Sequence, residues 1–256
     1  MRPAPGAGAG PGVVAGPGVV LLPGVGCCAW QLAGQAAALS AAGRRGELLD
    51  LPGHGGEAPV EGTATLEAVA ERVGGRVAAL AAGGPVDVVG HSTGGVVGLL
   101  VAVRRPGLVR RLVLLDSNVP VAPRELAAKR ARAAAVRADG WHEVLVSSMR
   151  AAWGPRAPRL RERVVAELAA APEAAVRALW ADVLELDPRP LLRAAPVPLL
   201  HVRSTRDVDA AGLRALNPLA SAADLRPLRA GHWPHLVEPG AVAAVLVPFL
   251  GGGPGA

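Results

Sequence analysis

A serine flanked by glycines, between an apolar strand and an apolar helix, constrains the fold of this chain more than any other feature. Gly90-His-Ser-Thr-Gly94 follows Val86-Asp-Val-Val89 and precedes residues 95–103, which are apolar or glycine throughout. This pattern predicts a buried strand, a tight turn and a buried helix, with the hydroxyl of Ser92 projecting from the turn. The next main-chain N–H, on Thr93, would lie at a helix N-terminus, where it can stabilise negative charge developing on an oxygen.

The composition fits a single domain of ordinary enzyme size. Of the 256 residues, 51% are apolar and 19% are charged, which suits a compact α/β protein with a large core. Aromatic residues make up only 2%, so a pocket would be lined mainly by Val, Leu and Ala, with Trp supplying any flat surface. The net charge of +6 is spread among acidic residues without a basic stripe, so nucleic acid is not an expected partner.

The cysteine content and the uncharged N-terminal region bear on metal binding and on location. Cys27 and Cys28 are the only cysteines, and no Cys/His spacing resembles a zinc site. Residues 3–43 carry no charge, but Gly and Pro interrupt them before any apolar span of about 20 residues is reached. The N-terminus also lacks a basic region followed by an apolar core. We therefore expect a cytoplasmic monomer or homodimer that acts on a small molecule, without a metal ion or membrane contact.

Short apolar strands alternate with helices along most of the chain. The patterns predict strands near residues 18–22, 46–51, 86–89, 112–116, 197–202 and, more weakly, 224–228. They predict helices near residues 29–42, 66–81, 95–103 and 241–250. This alternation indicates a mostly parallel, doubly wound sheet with helices on both faces.

Residues 117–192 interrupt the alternation. They are rich in Ala, Arg and Leu at helical spacing and contain no convincing strand. Several helices inserted between two strands would form a cap over one end of the sheet, where open α/β sheets bind their ligands. The predicted organisation is therefore a Gly/Pro-rich extension (residues 1–16), a core in two segments (17–116 and 193–250), the cap between them (117–192) and a flexible tail (251–256).

A serine hydroxyl needs a base to remove its proton, and the base works best when a carboxylate orients it. His232 is the preferred base because it lies between the weak last strand and the last helix, in a loop at the carboxyl end of the sheet. His235 is close enough to remain a rival. The other four histidines lie before the serine, beside it, on a cap helix or inside a strand (His54, His91, His142 and His201).

Two aspartates are serious candidates for the supporting acid. Asp207 follows the strand at residues 197–202 and gives the chain order Ser, Asp, His that is typical of this architecture. Asp116 ends the preceding strand and could instead cap the first cap helix. Asp207 is the favoured choice, Asp116 the alternative and Asp209 a minor third.

Taken together, these segments resemble the α/β-hydrolases, from about residue 19 to residue 250. The resemblance rests on Leu21-Leu-Pro-Gly24, Asp50-Leu-Pro-Gly-His-Gly55, Gly90-His-Ser-Thr-Gly94, Asp207 and Gly231-His-Trp-Pro-His235. It implies the α/β-hydrolase fold, with the helical cap inserted after the sixth strand. The family's first loop often reads His-Gly, and the residue after that glycine donates an oxyanion N–H. Here the pair is Pro23-Gly24, so the resemblance assigns that donor to Val25, with Thr93 as the second.

The reaction implied by the resemblance is acyl transfer by a serine hydrolase without a metal or organic cofactor. Ser92 would attack a small hydrophobic ester or lactone, with His232 as base and Asp207 as its support. Trp30, Trp153, Trp180 and Trp233 are candidates for pocket walls, with buried core as the alternative role of each. Two other functions remain open. One is a cofactor-free oxygenase or C–C bond-cleaving enzyme that uses His232 as base, supported by Asp116 in the oxygenase; the other is a non-catalytic binding protein.

Overall fold

The computed structural model describes residues 18–251, and a six-stranded parallel sheet forms its centre. The strand order is β2-β1-β3-β4-β5-β6, and every neighbouring pair is parallel. The strands are β1 (Val19–Leu22), β2 (Gly46–Leu48), β3 (Val86–His91), β4 (Val109–Leu115), β5 (Leu199–Arg203) and β6 (Ala220–Asp224). This architecture confirms the fold class expected from the alternating pattern.

Helices cover both faces of the sheet. Those of the core are α1 (Ala33–Ala41), α2 (Leu66–Leu80), α3 (Thr93–Arg104), α10 (Ala210–Leu216), α11 (Pro234–Val237) and α12 (Pro239–Leu250). Those between β4 and β5 are α4 (Pro123–Ala131), α5 (Ala133–Arg137), α6 (Trp141–Ala152), α7 (Pro158–Ala170), α8 (Glu173–Glu185) and α9 (Arg189–Ala194). Two short 3₁₀ helices span Ala29–Leu32 and Arg226–Leu228. Within residues 18–251, no helix combines the length and apolarity needed to cross a bilayer.

The continuous apolar run of β1 reflects burial on both faces. Val19 and Leu21 pack into one hydrophobic cluster, with α12. Val20 and Leu22 pack into the other, with α2 and α3. Because side chains alternate along a strand, a strand with helices on both sides must be apolar at every position.

The helices α4 to α9 occupy the segment between β4 and β5 in which the sequence predicts a cap, and they are called the cap below. The resemblance placed this insertion after the sixth strand; along the described residues it follows the fourth, β4, since the described sheet begins at Val19. The predicted extension at residues 1–16 and the part of the tail beyond residue 251 lie outside the described residues.

The last strand is the element that sequence reasoning misplaced. The expected strand at residues 224–228 forms instead at Ala220–Asp224, and the chain then turns into the 3₁₀ helix. Asp224 starts that turn, because its carboxylate accepts the main-chain N–H of Arg226. Pro227 has no N–H to offer a strand ladder. The true strand, Ala-Ser-Ala-Ala-Asp, carries no large apolar residue and therefore gave no clear signal.

Candidate active site

Ser92 occupies a strained turn between β3 and α3. Its φ of 52° and ψ of −117° lie outside the regions that non-glycine residues prefer. A Cβ on Gly90 would lie 2.3 Å from the main-chain nitrogen of Gly95, and one on Gly94 would lie 2.4 Å from the carbonyl oxygen of Pro23. Only glycine fits at both positions. Ser92 itself is half-buried, between fully buried neighbours, and lines a cavity under the cap.

Asp116, directly after β4, holds His232. Its Oδ2 lies 2.7 Å from Nδ1 of His232, and both side chains are buried. The other oxygen, Oδ1, accepts the main-chain N–H groups of Ser204 and Thr205 at 2.7 Å and that of Arg206 at 3.0 Å. The hydroxyl of Thr205 also donates to Oδ2, at 2.5 Å. Five hydrogen bonds therefore fix this carboxylate at the end of the sheet.

The structure corrects the expected partner of His232, because Asp207 does not contact it. The side chain of Asp207 is 79% exposed and forms an ion pair with Arg226. Asp209 is also elsewhere, accepting the main-chain N–H groups of Ala211 and Gly212 as the N-cap of α10. The loop after β5 curls so that its main-chain amides, at residues 204–206, point at Asp116. The side chain of Asp207 then lies on the solvent side of that loop.

The pairing sets the protonation of both groups. Burial alone would raise the pKa of Asp116, but the hydrogen bond and charge of His232 hold it below its ordinary value. Burial lowers the pKa of His232, and the hydrogen bond that it donates to Asp116 opposes that shift only in part. An ionised carboxylate only accepts, so Nδ1 of the neutral imidazole carries the proton and Nε2 carries the lone pair. This is the tautomer that a general base requires.

His91 supports the loop that carries His232. Its Nε2 lies 2.7 Å from the carbonyl oxygen of His232, and the two rings are 4.7 Å apart. His235 packs against His91 at 4.4 Å, and burial lowers the pKa of His235 to about 3. Sequence reasoning set His91 aside because it adjoins Ser92 and kept His235 as a rival base, so it missed the supporting role of His91. The remaining three histidines bond to nearby carbonyl oxygens rather than to Asp116 (His54, His142 and His201).

Two main-chain N–H groups beside Ser92 are unpaired. The loop after β1 lies against the serine, since a Cβ on Gly24 would be 3.3 Å from Cβ of Ser92. Among residues 18–251, neither the N–H of Val25 nor that of Thr93 has a hydrogen-bond acceptor. Both residues are buried, at 2% exposure. Buried N–H groups are rarely left unpaired, so this arrangement suits an oxyanion that arrives with a substrate.

A cavity of about 400 Å³ separates Ser92 from the cap. Ser92, Thr93, Thr205 and Arg206 line it from the core side. Trp180, on the cap helix α8, lines it from the other side. The cavity therefore has Ser92 on one side and residues of α6 and α8 on the other.

The other tryptophans proposed as pocket walls do not line this cavity. Trp153 stacks on Trp233 at 5.0 Å, and an antiparallel bridge joins Trp153 to Gly231. The N–H of His232 also donates to the carbonyl of Ala152, so the end of α6 holds the histidine loop. Trp30 donates to Glu167 of α7. These three tryptophans hold the cap on the core.

Comparison with known proteins agrees with the fold. A family model described as "Alpha/beta hydrolase family" matches residues 19–245. The chain belongs to the alpha/beta hydrolase family. No curated protein sequence matches this hydrolase-family chain.

Solved structures of the alpha/beta hydrolase family resemble the chain over nearly its whole length. A hydrolase from Pseudomonas aeruginosa PA01 is 26% identical with a TM-score of 0.75, covering 93% of this chain and 91% of that one. The enol-lactonase from Burkholderia xenovorans LB400 is also 26% identical, with a TM-score of 0.66 and 91% of each chain covered. A thermophilic esterase from Thermogutta terrifontis is 24% identical with a TM-score of 0.72, covering 92% of this chain and 89% of that one.

Proposed function

We propose that this protein is a serine hydrolase of small esters or lactones, in which Ser92 is the nucleophile, His232 the base and Asp116 the acid that orients it. The observation that carries the proposal is the hydrogen bond of 2.7 Å between Asp116 and His232, whose ring lies 4.7 Å from that of His91, the residue before the strained Ser92. An imidazole with its proton fixed on Nδ1 presents a basic Nε2.

The reaction follows from these groups. Nε2 of His232 takes the proton of the Ser92 hydroxyl while Oγ attacks the carbonyl carbon, and the N–H groups of Val25 and Thr93 bind the resulting oxyanion. His232 then gives the proton to the leaving alkoxide, which departs as an alcohol and leaves an acyl-enzyme. A water molecule deprotonated by His232 attacks the acyl group, releasing the carboxylic acid and restoring Ser92. No metal or organic cofactor enters these steps.

Two observations support an ester or lactone of modest size. The cavity of about 400 Å³ accommodates a small acyl group and its alcohol but not a polymer. The enol-lactonase from Burkholderia xenovorans, at 26% identity over 91% of the chain, acts on a cyclic ester.

A panel of short-chain esters and lactones, combined with intact-mass detection of the acyl-enzyme, tests the proposal. The wild-type protein should turn over members of the panel and gain one acyl adduct. Treated with a fluorophosphonate probe, it should gain one adduct of the probe. Ser92→Ala should lose turnover and adduct together. The control Ser147→Ala, on the exposed side of α6, should keep both, because this hydroxyl bonds only to the carbonyl of Val144. Full activity in Ser92→Ala would disprove the nucleophile.

A cofactor-free oxygenase, or a C–C bond-cleaving enzyme using the same base, is the second candidate. The specific observation in favour of the oxygenase is that the acid bound to His232 is Asp116, after β4, rather than the Asp207 expected of a hydrolase. His232 would then deprotonate the substrate itself. Oxygen uptake on adding an aromatic hydroxy-ketone, retained in Ser92→Ala, would favour the oxygenase. Ligand binding without any turnover would indicate a binding protein.

A further inference from the structure

We propose that the substrate carries a carboxylate on its acyl part, and that Arg206 binds this carboxylate in the cavity beside Ser92. The inference rests on the proposed hydrolase function and names the substrate class of the same site. A half-ester of a dicarboxylic acid, or a lactone with a carboxylate side chain, has this chemistry.

Arg206 is held in place by its main chain, and its side chain has no hydrogen-bond or ion-pair partner among residues 18–251. Its N–H donates to Oδ1 of Asp116, and Arg206 lines the cavity together with Ser92. Within the described part of the chain, this guanidinium makes no hydrogen bond or ion pair, and its Nε is buried. A buried cationic donor without an acceptor is costly, so the arrangement calls for an anionic acceptor that arrives with a ligand.

Asp116 does not supply that acceptor. Its charge acts on Arg206, but its two oxygens already bind His232, the Thr205 hydroxyl and three main-chain N–H groups. Only the main-chain N–H of Arg206, and not its guanidinium, is among these donors. The two terminal nitrogens of the guanidinium, which carry four of its five N–H groups, are therefore available to a ligand.

A second cation faces the same cavity. Arg132, at the junction of α4 and α5, lines it and has no side-chain partner among residues 18–251. Burial lowers the pKa of Arg206, and the nearby charge of Arg132 acts in the same direction. Two unmatched like charges at one wall create a positive field that a carboxylate would neutralise.

The acidic side chains of this region lie outside the cavity. A second pocket of about 220 Å³ shares Asn118, Thr205 and both arginines with it, so the two spaces adjoin. Glu125 and Asp207 line only this outer pocket. Both arginines thus line the two spaces, and no Asp or Glu is among the described residues that line the cavity beside Ser92.

The part of the cavity wall that comes from α6 and α8 is mostly apolar. Met149, Trp180, Val183 and Leu184 line it from the cap. A ligand that fits both surfaces has a short apolar body ending in a carboxylate. This adds a charged end to the hydrophobic acyl group expected from the composition.

Matched pairs of esters test the inference. Monomethyl glutarate and monomethyl adipate carry the carboxylate, whereas methyl pentanoate and methyl hexanoate do not. We expect the wild type to have a kcat/KM at least tenfold higher for the charged esters. Arg206→Gln should lose about 10- to 100-fold on them, mainly through KM, and stay within about threefold on the neutral esters. Arg206→Lys should retain part of the preference, since it keeps the charge but not the planar fork.

Arg214→Gln is the control, because it removes the same charge from the exposed side of α10, away from the cavity. Its ratio of charged to neutral kcat/KM should equal that of the wild type. Equal or better hydrolysis of the neutral esters by the wild type would overturn the inference. So would an equal loss on both kinds of ester in Arg206→Gln, which would indicate a role in positioning Asp116.

Binding of adipate, the dicarboxylate product, separates this inference from the hydrolase proposal. Titration calorimetry on Ser92→Ala should show adipate binding that weakens at least tenfold when Arg206→Gln is added. If no ester is turned over but this difference is found, the hydrolase proposal fails and the anion site stands. If adipate does not bind, or binds both proteins equally, the anion site is wrong, whatever the esterase result.

Discussion

Oδ2 of Asp116 lies 2.7 Å from Nδ1 of His232, a bond that joins the end of β4 to the loop before α11 across 116 positions of sequence. The same carboxylate accepts three main-chain N–H groups from the loop after β5. Three separate segments therefore converge on one buried acid. Main-chain groups hold the carboxylate of Asp116, and this carboxylate in turn fixes the imidazole of His232. Such preorganisation is what acid–base catalysis needs.

Removing the hydroxyl of Ser92 should separate catalysis from stability. Ser92→Ala and Ser92→Gly should both lose ester turnover by about 10⁴-fold or more, because neither has a nucleophile. Ser92→Gly should be more stable than Ser92→Ala by about 1 kcal/mol, since glycine accepts the φ of 52° without strain. Denaturant unfolding of the two variants measures the difference. Equal stability would mean that the turn stores no strain at this residue.

The pH dependence should report the buried base. His232 acts as the neutral imidazole, so kcat/KM falls as the pH drops through its pKa. Burial lowers that pKa below the ordinary 6.5, and activity should therefore persist at pH 6.5 and fall only in more acidic buffer. Asp116→Asn should shift the inflection of the residual activity to lower pH, because Asp116 raises the pKa of His232. A pH profile of kcat/KM on a neutral ester checks both statements, and an inflection above 6.5 would contradict them.

Much of the fold could be read from the sequence because its signals are local. The apolar run of β3, the glycines around Ser92 and the apolar α3 specify strand, turn and helix without reference to distant residues. The position of His232 was also predictable, because the loop between the last strand and the last helix must lie at the carboxyl end of the sheet.

The acid could not be chosen in the same way. Asp116 and Asp207 both follow strands, and the choice depends on how the loop after β5 curls. That curl comes from main-chain N–H groups at residues 204–206, which carry no sequence signature. The one available signal was that Asp116 follows its strand immediately, whereas Asp207 stands several residues beyond Arg203. The unpaired guanidinium of Arg206 was likewise invisible, because pairing is a property of the folded protein.

The glycines of the serine turn should be intolerant of a methyl group. Gly94→Ala would place a Cβ 2.4 Å from the carbonyl oxygen of Pro23 and push the loop after β1 away from α3. We expect a loss of about 1–3 kcal/mol in the free energy of unfolding, together with reduced turnover, because Val25 lies on that loop. Gly75→Ala is the control: it is exposed on α2 with open space around it, and should gain about 0.5–1 kcal/mol. A Gly94→Ala variant as stable and active as the wild type would refute this packing.

The comparison of Asp116→Asn with Asp207→Asn tests the account most directly. An asparagine at 116 can donate to Nδ1 of His232 and so favours the tautomer with its proton on Nε2, which cannot accept the serine proton. Measured as kcat/KM on the best ester of the panel, Asp116→Asn should lose about 10⁴-fold. Asp207→Asn should stay within about threefold of the wild type, since Asp207 is exposed and paired with Arg226. A large loss in Asp207→Asn with activity retained in Asp116→Asn would contradict the account.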